Sequence, residues 1–91
     1  MVRIDITENF YRVRIREPRI FTEFRIPQWA GRIADKICSG SKVAMGRKGK
    51  EWKVQSILIP RKQVKTKRQA LKYAKQIFRK IEDVVRERYW L

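Results

Sequence analysis

Histidine is absent from this 91-residue chain, and Cys38 is its only cysteine. Without an imidazole there is no Ser-His or Cys-His nucleophile pair and no histidine metal ligand. A single thiol forms neither an intramolecular disulfide nor a multi-cysteine metal site, which fits a reducing, cytoplasmic setting. Cys38 has no activating partner nearby in the sequence and reads as a buried residue. Long apolar runs are missing too: nothing approaches the roughly 20 residues of a membrane span, and Met1 to Phe10 lacks the apolar stretch of a signal peptide. Acid is scarce. The 9 Asp and Glu are scattered, and no two are marked as an acid–base pair or a two-metal cluster. The expectation is a protein that is not an enzyme and uses no metal or other cofactor.

Positive charge is what the chain has in excess. Lys and Arg number 24, for a net charge of +15, while 43% of residues are hydrophobic and 11% aromatic. That composition folds, and the length suits one domain over residues 1–91. Charge density, missing histidine and scarce asparagine match a heat-adapted source. Thermophilic enrichment, however, adds Lys and Glu together and leaves the net charge small. Here residues 41–80 hold fourteen cations and one anion, Glu51, whereas residues 1–40 hold eight and five. Self-repulsion of this kind opposes compactness unless a polyanion cancels it in use.

Periodicity predicts an α+β fold. Tyr11, Val13 and Ile15 alternate with Arg12, Arg14 and Arg16, a period of two that puts three arginines on one strand face. Glu17-Pro18-Arg19 reads as a turn into a second strand, Ile20 to Ile26, completing a hairpin. Trp29, Ala30, Ile33, Ala34 and Ile37 recur at helical spacing over Gln28 to Ile37, and Ser39-Gly40-Ser41 stops that helix. Val43 and Met45 open a third strand, Gly46 to Lys50 is a basic turn, and Trp52 to Ile59 is a fourth strand closed by Pro60. Thr66 is an N-cap for a long helix with Ala70, Leu71, Ala74, Ile77, Phe78, Ile81, Val84 and Val85 on its apolar arc. The expected architecture is two antiparallel β-hairpins in one sheet, a short middle helix and a long C-terminal helix packed on the sheet, in the order β-β-α-β-β-α.

Three basic surfaces follow. The first is the row Arg12, Arg14 and Arg16, with Arg25 as a neighbour on the second strand. The second is the hairpin tip, Arg47, Lys48 and Lys50, which lacks the Walker spacing and a following helix and so is no nucleotide loop. The third runs from Arg61, Lys62, Lys65 and Lys67 into a helical stripe of Arg68, Lys72, Lys75, Arg79 and Arg86. Each neutralised phosphate releases counterions, so five to eight contacts give a slope of log K against log salt of roughly −4 to −7. Tyr11, Phe24, Trp29, Trp52 and Phe78 fall on apolar faces and read as core, while Tyr89 and Trp90 are open to packing or self-association.

From Val43 to Glu82 the chain has a basic hairpin with Trp52-Lys53-Val54-Gln55 opening its second strand, then Thr66 and an amphipathic helix with Ala70 and Ala74. This stretch resembles the sheet-plus-helix DNA-binding domains of plant ethylene-response factors and phage integrase arm-binding regions. In those families a three-stranded antiparallel sheet enters the major groove with the helix behind it. The resemblance implies that Arg47, Lys48, Lys50, Lys53 and Gln55 lie at or near DNA. The expected function is binding of double-stranded DNA through phosphates, in a regulatory or architectural protein of a virus, plasmid or archaeon, nucleoid-associated and not bound to membrane. RNA binding in a ribonucleoprotein, an assembly module docking on an acidic protein, and a homodimer stay open as alternatives. Arginines in place of stacking aromatics on the strand face favour a duplex over single strands.

Overall fold

The computed structural model describes residues 3–16, 20–23 and 25–89. The turn expected at Glu17-Pro18-Arg19, Phe24, Trp90 and the side chain of Tyr89 lie outside the described residues. The elements are β1 (Arg3–Ile6), β2 (Phe10–Arg14), β3 (Ile20–Thr22), α1 (Gln28–Ile37), β4 (Lys42–Lys48), β5 (Glu51–Pro60) and α2 (Lys67–Tyr89). The fold is α+β, with the five strands in one antiparallel sheet and both helices as expected.

Two hairpins are present, but the first uses a strand that the alternation over 11–26 did not suggest. β1 pairs with β2, Ile4 opposite Val13 and Ile6 opposite Tyr11, around a turn in which the Phe10 amide donates to Thr7 Oγ1 at 3.1 Å. β3 does not pair with β2. Both run antiparallel to β5, β2 against Ser56 to Pro60 and β3 against Glu51 to Lys53, so they lie end to end along one edge of it. β4 takes the other edge along nearly its whole length. The strand expected to reach Ile26 stops at Thr22 and turns its other side inward. Phe21 is 3% exposed, opposite Trp52 and 5.7 Å from the Trp29 ring, whereas Ile20 and Ile26 are exposed. Burial of one large aromatic in an existing aromatic cluster outweighs that of the flanking isoleucines.

β5 is the centre of the sheet and carries a bulge. Ala44 faces Ser56 and Met45 faces Val54, leaving Gln55 as the extra residue. A bulge shifts the two-residue period, so Trp52 and Val54 before it and Ile57 and Ile59 after it all reach one face. On that face lie Tyr11, Val13 and Phe21, and against it pack Ala70, Ala74, Ile77, Ile81 and Val85 of α2. α1 buries Trp29, Ala30 and Ala34 and packs on α2 and β4. Cys38 is buried and free, as expected. α2 begins as predicted: the Gln69 amide donates to Thr66 Oγ1, and Gln69 Oε1 accepts from the Lys65 amide, a variant of the capping box. Both helices lie on one side of the sheet, so its opposite face is open. Among the described residues, no helix is long and apolar enough to cross a membrane.

Candidate nucleic-acid interface

Alternation decides what the open face presents. Because Tyr11 and Val13 point into the core, Arg12 and Arg14 point out, aligned across the sheet with Leu58 and Ser56. β4 adds Lys42 opposite Leu58, and the far end of the sheet sets Ile20, Lys53 and Gly46 side by side. The result is a shallow depression of about 490 Å³ walled by Arg12, Arg14, Arg16 and Lys53, with Gln55 and Ser56 in it. A second depression of about 390 Å³, lined by Ile20, Gly46, Lys48 and Glu51 among others, shares Lys53 and Gln55 with the first. Together they form one basic trough.

The arginine row is not simply solvated. Asp5 stands opposite Arg12 on β1, and its carboxylate lies 3.4 Å from Arg3 Nε, 3.2 Å from Arg12 Nη2 and 2.8 Å from Arg14 Nε. Burial pushes the Asp5 carboxyl up, but the Arg12 hydrogen bond and the charges of Arg14, Arg3 and Arg12 outweigh it and hold the group below its ordinary value of 3.8. Asp5 therefore stays ionised, fixes the guanidinium planes and cancels part of their charge. The hub was legible only in part: Ile4 and Ile6 alternate with Arg3 and Asp5 before the turn residues Thr7 to Asn9, a strand signal passed over in the sequence. Arg16 and Lys53 are exposed and have no carboxylate partner among the described residues.

The hairpin tip is smaller than expected. Gly46, Arg47 and Lys48 belong to β4, and the turn is Gly49-Lys50 alone, with Gly49 at φ 63°. A glycine with positive φ followed by a residue without it is the II′ pattern, whose twist matches the strands. Arg47 and Lys48 consequently point to opposite faces. Arg47 lies over the Trp52 ring at 5.1 Å and donates from Nε to the Gly49 carbonyl at 2.8 Å, so it braces the turn, and both Arg47 and Lys48 line the second depression. Gly46 has its own reason: a Cβ there would sit 2.5 Å from Gln55 Nε2, so the missing side chain makes room for the amide of the bulged residue.

The remaining candidates are dispersed. Arg25 is exposed in the segment between β3 and α1, off the strand on which it was expected to neighbour the arginine row. Arg61 is engaged structurally, donating to the Thr7 and Glu8 carbonyls at 3.1 and 3.2 Å and so pinning the β1–β2 turn. Lys62, Lys65 and Lys67 are exposed around the start of α2. Arg68, Lys72, Lys75 and Arg79 are exposed on the arc of α2 opposite Ala70, Ala74, Ile77 and Ile81. They face away from the sheet, on the side of the molecule opposite the trough. The aromatic residues expected in the core behave so: Tyr11, Trp29 and Trp52 are buried and Phe78 is half-buried. Tyr11 Oη donates to the Lys65 carbonyl, and Trp52 Nε1 to the Glu23 carbonyl.

No known protein family, curated protein or solved structure matches the chain.

Proposed function

We propose that this protein binds double-stranded nucleic acid, DNA in preference to RNA, by laying the trough on its open sheet face against the duplex with the arginine row on the phosphate backbone. The observation that carries this reading is the convergence of Arg12, Arg14, Arg16, Lys48 and Lys53 on one concave surface with Gln55 at its centre. Strands hold Arg12, Arg14, Lys48 and Lys53 at fixed spacing, which spares much of the ordering cost of a mobile basic tail, while the strand expected to carry Arg16 ends at Arg14 and leaves Arg16 in the bend that follows. A duplex is favoured over single strands because, among the described residues, the open face offers no stacking platform: half-buried Phe10 lies on it with Lys42 above its ring at 5.7 Å. DNA is favoured because β3, β5 and β4 side by side at the tip span roughly 10 Å between outer strands, against a B-form major groove about 12 Å wide. The deep, narrow major groove of an RNA helix does not admit such a sheet. Lys53 and Gln55 would then be nearest the bases and the arginine row nearest the phosphates.

The test is a titration of matched duplex DNA, duplex RNA and single strands over a range of salt, with wild type beside an Arg14→Ala, Arg16→Ala, Lys53→Ala triple variant. The expected result is a steep salt slope for duplex DNA that flattens in the variant. Preference for duplex RNA would transfer the reading to a ribonucleoprotein component. Absence of binding to any of them at low salt would remove it and direct the search to an acidic protein partner.

A further inference from the structure

The trough leaves part of the charge unexplained, because α2 carries a second basic surface on its far side. Arg68, Lys72, Lys75 and Arg79 are all exposed, and among the described residues none of them has a carboxylate partner. Over the eleven steps from Arg68 to Arg79 the helix rises about 16 Å, which spans roughly five phosphates of one strand.

Whether this stripe assists the trough is a question of distance. The domain measures 38 × 22 × 22 Å, and the sheet with its packed helix lies between the two surfaces. At 0.1 M salt the Debye length is about 10 Å, so a duplex in the trough gains little from cations on the far side of the molecule. The stripe therefore adds self-repulsion without adding affinity to the trough, unless it has a polyanion of its own. The same screening means that two duplexes held on opposite faces scarcely repel one another.

Resting on the reading of the trough as a duplex site, we infer that the back of α2 is a second, independent duplex-binding surface, and that one molecule bridges two segments of nucleic acid. The occupant is set by complementarity of charge and shape. The stripe borders a shallow, open depression of about 450 Å³ lined by Arg68, Gln69, Leu71, Lys72 and Lys75, and a row of lysines and arginines on one helix contacts phosphates without reading sequence. The trough binds first and more tightly, because Asp5 holds Arg12 and Arg14 in place, and the stripe binds second.

Stoichiometry tests this. Light scattering with duplexes of about 20 base pairs in excess at 0.1 M salt gives the mass of the saturated complex, and long duplexes immobilised on beads report capture of a second, labelled duplex. Wild type is expected to saturate at two duplexes per protein monomer and to capture the labelled duplex. A Lys72→Glu, Lys75→Glu, Arg79→Glu variant, verified as folded by circular dichroism, is expected to saturate at one, to lose capture, and to keep its first dissociation constant within about threefold. Saturation of wild type at one duplex, or capture that survives in the helix variant, would overturn the inference while leaving the trough intact. A protein dimer carrying two duplexes would also overturn it, as would a stripe that captures phosphatidylserine vesicles and no second duplex. If wild type binds no duplex at all, the proposed function itself fails, which is a separate outcome.

Discussion

The open sheet face and the back of α2 are both basic, yet they are built differently. In the trough Arg12, Arg14, Lys48 and Lys53 sit on paired strands, Asp5 holds two of them, Arg12 and Arg14, and Gln55 is given its place by a bulge and by the bare Cα of Gly46. On α2 the cations stand at helical intervals around a shallow depression lined by Arg68, Gln69, Leu71, Lys72 and Lys75, and no carboxylate among the described residues fixes Arg68, Lys72, Lys75 or Arg79. Under the proposed function, equal charge is thus not equal capability: an array partly held by Asp5 and by strand pairing would favour one duplex form and register, whereas a stripe on a single helix would respond to phosphate density alone.

Breaking the layer between the two surfaces gives the largest effect. Ile77 is fully buried between α2 and the sheet, and Ile77→Ala is expected to cost about 3 kcal/mol and to weaken both surfaces together, measured by denaturant unfolding beside duplex titration. Removing the trough's cations comes next. Arg14→Ala, Arg16→Ala and Lys53→Ala combined should weaken the first binding event about 30-fold at 0.1 M salt and flatten the salt slope by roughly 3, with unfolding little changed.

Smaller effects sharpen the contrast. Gly46→Ala puts a methyl where the Gln55 amide lies, and a loss of first-event affinity of about fivefold is expected with the α2 stripe unaffected, provided Gln55 touches the nucleic acid. An unchanged affinity would show that Gln55 is a bystander. Asp5→Asn is the smallest: affinity should rise about twofold with a slightly steeper salt slope, because one screening charge leaves the arginine row. Its sign in stability is opposite. Since the folded carboxyl titrates below 3.8, its ion pairs stabilise the fold above that pH and lose this contribution as pH falls through the folded value. Acid unfolding curves should therefore show wild type losing an increment below about pH 4 that Asp5→Asn lacks.

Helix α1 at Gln28–Ile37, the Thr66 cap, the buried arc of α2 and the outward arginines of β2 were all legible in the sequence, as was the excess of positive charge. These are local properties: a period of 3.6 or 2, or a cap three residues from its partner, is written within one turn or one strand. The tertiary structure alone decided that β2 and β3 lie end to end along β5, that a bulge at Gln55 resets the strand's period, and that Asp5 enters the arginine row. It alone divided one excess of charge into two surfaces on opposite sides of a sheet. Pairing of β2 with β5 joins residues 42 to 50 positions apart through backbone hydrogen bonds of a kind that nearly every residue can make, so no spacing in the sequence records it.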